Sequence, residues 1–291
     1  MTAPIDSIST GGALDGAPGG LDVRDTGVPT GTSRLVQVRQ SLQRHPIPMK
    51  CHFRHSLVLA WAVPVEILQP LVPRGLTLDT YDNSWGFVAI ALVQTEQLRP
   101  AVLPAYLGRD YLLTGYRIFV RHTDASGRTR RGLHILRSDT NRRSMKYGGN
   151  LLTHYNYRLA TIDFTETDQL LRVAIKTPGH EADLDVTAHL GEPAGLPVGS
   201  PFRTQIDARR YAGPLPWTFD YEASTDSIVM IHARRTQWHP TPVHVEVATA
   251  TFFDDPRLSG TAPVLANAFH VADIDYGWER GVRVPLEAAE R

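Results

Sequence analysis

The chain has 291 residues, 42% of them hydrophobic, and its thirty Lys and Arg balance thirty Asp and Glu. That is enough apolar material for a sizeable core, with no net field to draw the whole surface to nucleic acid or an anionic membrane. The one cysteine, Cys51, excludes an internal disulfide framework and a multi-cysteine metal site, and fits a cytoplasmic protein.

Residues 1–33 are rich in Gly, Ala, Thr, Asp and Pro without an apolar run, which reads as a disordered tail. They lack the basic start and apolar stretch of a secretory signal, and no later segment offers the roughly 18 uncharged apolar residues of a membrane helix. Residues 34–50 are polar and basic, with a helix expected over Leu35 to Leu42, and form a surface lead-in to one domain spanning 51–287. From His52 the pattern is that of a strand with unlike faces. Phe53, His55, Leu57, Leu59, Trp61 and Val63 are bulky, whereas Arg54, Ser56, Val58, Ala60 and Ala62 are mostly small. One face packs and the other leaves room. Pro64 ends the strand, Val65 to Leu71 reads as a short helix, and Pro73 and Gly75 close it in a turn.

Further strand-like segments follow at Trp85 to Val93, Tyr111 to His122, Gly132 to Asp139, Tyr155 to Phe164, Leu170 to Thr177, Leu184 to Leu190, Ile228 to Gln237, Val243 to Phe253 and Ala268 to Tyr276. Trp85 to Val93 is apolar on both faces and belongs at the centre; the run ending at His189 alternates and has one wet face. Helices are few, with Pro201 to Tyr211 a second candidate. The fold class is therefore mainly β, a closed or strongly curved antiparallel β-barrel with a few short helices.

The segment Asn141 to Tyr157 interrupts this pattern with a polar, glycine-containing turn. His154, Tyr155 and Tyr157 supply hydrogen-bonding groups just after Gly148 and Gly149, so this excursion is a candidate site; the alternative is an ordinary bend. Glu246 sits inside an otherwise apolar run and must be solvated, paired or functional. Arg54, Arg117, Arg137 and Arg234 are strand arginines available to pair with it or to hold a substrate carboxylate. Arg54 either snorkels out at the rim or points a charge into a cavity. Arg234 and Arg235 read as solvated strand ends. His239, His244 and Glu246 resemble a metal-ligand set, but Pro240 and Pro242 keep a helix from gathering the histidines and a third ligand would have to come from elsewhere, so no metal is expected. A GxSxG elbow, a GxGxxG run and a P-loop are all absent, and no cofactor is expected.

The run FRHSLVLAWAVPVEILQPLVPRGLTLD (Phe53 to Asp79), followed by GLHILRSDT, YGGNLLTHYNYRLA and FHVADIDYGWERG, resembles the acetoacetate decarboxylase-like superfamily, and most closely a bacterial branch of it. The resemblance implies a closed, cone-shaped antiparallel β structure around a cavity, with a first-strand arginine, here Arg54, holding the substrate carboxylate. The family's Schiff-base lysine does not carry over: its place falls on Tyr155 or Tyr157, depending on one register step. One family acidic residue falls on Gly86. The remaining lysines, Lys50, Lys146 and Lys176, lie elsewhere in the chain. These residues imply a protein acting on a small carbonyl or carboxylate compound by non-covalent acid–base chemistry, as a lyase, dehydratase or cyclase of secondary metabolism. The catalytic set is then Arg54, Tyr155, Tyr157 and Glu246, with Arg54, His154, Arg117 and Arg137 binding substrate. The alternative is a non-catalytic binding protein with the same cavity. Neither nucleic acid nor membrane is an expected partner, and homo-oligomerisation is left open.

Overall fold

The computed structural model of the protein describes residues 34–191, 194–236, 238–260 and 262–286; the tail expected over residues 1–33 lies outside them. In chain order it runs α1 (Arg34–Gln43), β1 (Met49–Pro64), α2 (Val65–Leu68), β2 (Thr77–Leu78), β3 (Trp85–Pro100), β4 (Arg109–Thr123) and β5 (Thr129–Thr140). Next come α3 (Arg143–Leu152), β6 (Tyr157–Leu159), β7 (Thr161–Glu166), β8 (Leu170–Lys176), β9 (Leu184–His189), α4 (Gln205–Ala212), β10 (Trp217–Glu222) and β11 (Ser227–Arg235). The chain closes with β12 (Thr241–Pro242), β13 (His244–Ala250), β14 (Val264–Trp278) and β15 (Val282–Pro285). Among the described residues no helix is long and apolar enough to cross a membrane.

The strands separate into two sheets rather than one. In the larger, the order β14, β1, β3, β4, β5, β10, β11 returns to β14 through an added β11–β14 pairing, so the hydrogen bonding runs in a ring. β3 lies at its centre, as its two apolar faces demand. Pairing is antiparallel except that β5 runs parallel to both β6 and β10. The smaller sheet is β13–β9–β8–β7.

The unlike faces of β1 explain this layering. Leu57, Leu59, Trp61 and Val63 face a core shared with Ile162, Leu171, Val173 and Ile175 of the smaller sheet. Each fully buried Leu or Ile there contributes ~1.5–3 kcal/mol. The small residues Ser56 and Val58, with Ala89 and Ala91 of β3, face the other way and line a cavity. Pro64 gives way to α2 and then a 3-10 turn over Gln69–Leu71, and Gly75 takes a left-handed φ of 81° in the turn that follows. α4 starts at Thr204, whose Oγ1 accepts a hydrogen bond from the Asp207 N–H at 3.1 Å. The lead-in is clipped to the body by Arg44, which donates two hydrogen bonds to the buried Glu222 carboxylate at 2.8 and 2.5 Å.

Candidate functional site

The cavity exists because β1 and β3 present small side chains where a packed sheet would present large ones. Ser56, Val58, Ala89, Ala91 and Ala233 leave about 80 Å³ open, several times the ~15 Å³ that a single water requires. Phe53, Phe119, Phe269, Trp238 and Trp278 wall it off. Two arginines, Arg117 on β4 and Arg235 at the end of β11, line it, and among the described residues no Asp, Glu, His or Lys does. The Arg117 side chain has neither a hydrogen bond nor an ion pair among the described residues, and its Nε is buried. Gly115 makes its position available: a Cβ there would lie 2.8 Å from Arg117 Nε. Arg235 rests 4.6 Å from the centre of the Trp238 ring and donates to the Pro214 carbonyl at 3.3 Å; burial lowers its pKa.

The residues read as a glycine-containing turn instead form helix α3, and this helix fixes the two tyrosines. Asn150 accepts a hydrogen bond from the Tyr157 N–H at 2.6 Å and donates one to the Tyr157 carbonyl at 2.9 Å. Gly149 admits the Tyr157 ring, which a Cβ would approach to 2.5 Å. Thr153 Oγ1 accepts from the Tyr155 N–H at 3.2 Å, and Asn156, between the tyrosines, has a left-handed φ of 51°. Both rings are thereby presented to the cavity. The Tyr155 hydroxyl is buried without a hydrogen-bond partner. Burial drives its pKa well above the ordinary tyrosine value, the nearby Asp220 adds to the rise, and Arg117 opposes it. Burial also pushes Tyr157 up, to about 12, again against Arg117. Both are therefore neutral hydrogen-bond donors in the physiological range rather than bases.

Two further spaces adjoin the cavity. Leu113, Tyr155, Tyr157 and Trp278 are also walls of an apolar chamber of about 290 Å³ beneath α3, bounded by Ile47, Met49, Met145 and Leu152. His45 lines this chamber with an unpartnered, buried Nδ1, and burial lowers its pKa to about 4. On another side, Arg235, Tyr276 and Trp278 separate the cavity from an open groove of about 1020 Å³ lined by Lys50, Arg99, Arg234, Arg235 and Arg280 against Asp275 and Glu279. Such a cation-rich vestibule raises the local concentration of anions.

A model of the family DUF2071, "Uncharacterized conserved protein (COG2071)", matches residues 50–273, a range that reaches into every strand of the ring. The chain belongs to the DUF2071 family. No curated protein matches it. Among solved structures it is similar to acetoacetate decarboxylase from Legionella pneumophila, with 14% identity over 82% of this chain and 88% of that one and a TM-score of 0.56. It is also similar to an acetoacetate decarboxylase-like enzyme from Sphingomonas wittichii, with 11% identity over 84% and 95% of the two chains and a TM-score of 0.54. The enduracididine biosynthesis enzyme MppR complexed with pyruvate matches with 10% identity over 82% and 90% and a TM-score of 0.53. The DUF2071 chain thus has the acetoacetate decarboxylase-like fold.

Of the residues singled out from the sequence of this DUF2071 chain, Arg117, Tyr155 and Tyr157 meet at the cavity. The others do not. Arg54 is half exposed and pairs with Glu166 at 3.3 Å. A β-bulge between Phe53 and His55, opposite β3, inserts one extra residue, so Phe53 takes the cavity position and Arg54 turns out. Arg54→Ala is expected to leave ligand binding unchanged and to alter stability by less than about 0.5 kcal/mol, checked by thermal shift with and without ligand.

Arg137 is buried on the opposite face of β5, bound to Asp139 at 3.0 and 3.1 Å and to Glu181 at 2.7 Å; a bulge at Leu136 of β5, opposite Tyr116 and Arg117, turns it away from the cavity. His154 lies 3.9 Å from Glu222, outside the cavity. Glu246 is on the wet face of β13 in the smaller sheet, 68% exposed, so it is solvated. Arg235, read as a solvated strand end, is instead a cavity residue, and Trp238, Tyr276 and Trp278 join it there. The signal available for these was weak: aromatic residues gathered near the two C-terminal strands of the ring, with nothing to show which way they faced.

Proposed function

We propose that this DUF2071 chain takes a small compound bearing a carboxylate and a carbonyl, and acts on it by non-covalent acid–base chemistry of the lyase, dehydratase or cyclase type. The ring of strands is then the wall of a closed barrel around the site. The carrying observation is that, among the described residues, three buried donors without partners converge on one cavity with no acidic group in its lining: Arg117 Nε, Tyr155 Oη and Trp238 Nε1. A buried donor left unpaired costs about 1–3 kcal/mol, and a ligand rich in acceptors and negative charge would recover it. Arg117 binds the carboxylate. Tyr155 donates a hydrogen bond to the carbonyl oxygen and stabilises the negative charge that develops there when a neighbouring bond to carbon breaks. A covalent imine is disfavoured, since no lysine lines the cavity: Lys50 faces the outer groove, Lys146 is on α3 and Lys176 is exposed. That MppR is described as complexed with pyruvate, a keto acid, accords with this ligand class.

One observation favours a second reading, a binding protein without turnover. No described residue of the cavity lining is an evident base; the imidazole of His45, whose buried Nδ1 has no partner, stands across the tyrosine wall in the adjoining chamber.

Calorimetric titration with paired ligands, a 2- or 3-keto acid and the same acid lacking the ketone, tests both readings. Wild type should prefer the keto acid, and Tyr155→Phe should lose that preference, worth ~0.5–1.5 kcal/mol, while still binding the simple acid. Turnover by NMR that disappears in Tyr155→Phe supports the enzyme; binding without turnover supports the second reading. No binding of either acid sinks both.

A further inference from the structure

Far from the cavity, three ligating side chains converge that the fold does not otherwise use. His244 on β13 stands directly opposite His189 on β9, and Glu246, two residues on, shares their face and is the diagonal neighbour of His189. Burial alternates accordingly, with Val245 and Ala188 turned into the core and the three polar residues turned out. One ligand atom from each lies within 4.8 Å of the others, and His189 Nε2 is already 3.2 Å from Glu246 Oε1. The His244 side chain has no hydrogen bond or ion pair among the described residues, and the side chains of the other two have only each other.

We propose that His189, His244 and Glu246 form a binding site for Zn²⁺ on the outer face of the smaller sheet. Ligands about 2.1 Å from a tetrahedral zinc stand ~3.4 Å apart. The His189–Glu246 pair has that spacing already, and the widest separation needs to close by at most about 1.4 Å, a shift that exposed side chains make by small torsional changes. Two imidazoles and one carboxylate select borderline transition ions over Mg²⁺ and Ca²⁺, which seek oxygen-only shells. Three protein ligands leave the fourth position for water. The third ligand required by the pair His244 and Glu246 is supplied across the strand pairing by His189, and His239 has no part in it. A bound ion would pin β13, the edge strand, to β9.

The test is calorimetric titration of metal-free full-length protein with ZnCl2, with MgCl2 as control, together with thermal shift. One Zn²⁺ per chain is expected, with a rise in melting temperature. Loss of a second-shell group typically weakens metal sites 10- to 100-fold, so loss of a ligand should cost at least about tenfold in His244→Ala and in Glu246→Gln. The double variant His189→Ala/His244→Ala should neither bind nor be stabilised, and His239→Ala should behave as wild type. All these side chains are half-buried or exposed, and an unchanged melting temperature without metal certifies that the variants fold. Zn²⁺ binding no tighter than Mg²⁺, binding that survives in the double variant, or binding lost in His239→Ala overturns the assignment.

Discussion

Replacing Arg117 with methionine is expected to weaken binding of small carboxylates at least about tenfold and, in the same variant, to raise the melting temperature of the ligand-free protein. The first effect follows from losing charge-assisted hydrogen bonds, worth ~1.5–3 kcal/mol or about 10- to 150-fold in affinity. The second follows because Arg117 has no counter-charge among the described residues and a buried Nε without a partner. Methionine fills comparable space without the desolvation cost of an unpaired cation. Ordinary structural ion pairs behave the other way, so the two readouts together distinguish a ligand-holding cation from a structural one. A lower melting temperature with ligand binding intact would show that Arg117 supports the fold and nothing more.

Arg137→Ala should have the opposite character, destabilising the protein by about 3–5 kcal/mol in denaturant titration with no specific effect on ligand affinity. It strands Asp139, which is 0% exposed and keeps only a 3.4 Å contact from Thr114 Oγ1. Burial already raises the Asp139 pKa, and Arg137 is the principal group opposing that rise. With Arg137 removed the pKa climbs further above its unfolded value. A carboxyl raised in this way penalises the folded state above its folded pKa, and the penalty fades as pH falls through it. The deficit of Arg137→Ala should therefore shrink toward acid pH, and Arg137→Ala/Asp139→Asn should recover much of it at neutral pH.

The contrast between Arg54, Arg117 and Arg137 shows what a single sequence reveals of this fold and site. The two faces of β1 are legible, because strict alternation of bulky and small residues from Ser56 to Val63 can only mean one packed and one roomy face. Which arginine reaches the roomy side is not, because two β-bulges shift parity, one between Phe53 and His55 of β1 and one at Leu136 of β5, opposite Tyr116 and Arg117. A bulge is a property of the paired strand and leaves no mark on alternation within one segment. Tyr155 and Tyr157 were accessible, two residues apart after a glycine pair. The helix that holds them was not, since Gly148 and Gly149 argue locally for a turn, whereas Gly149 serves the close approach of the Tyr157 ring within α3. Glu246 was misplaced for a third reason: β13 joins the smaller sheet, a tertiary choice that its local pattern does not record.

On the proposed reading, the absence of Asp, Glu, His and Lys from the described residues of the cavity lining makes it a fixed-charge host. Guanidinium groups keep their protons throughout the physiological range, and the buried tyrosines titrate far above it. Between about pH 5 and 9 the host does not change its charge, so the pH profile of association traces the ionisation of the guest alone. A compound that lost its negative charge inside would lose its hold on Arg117 at that moment.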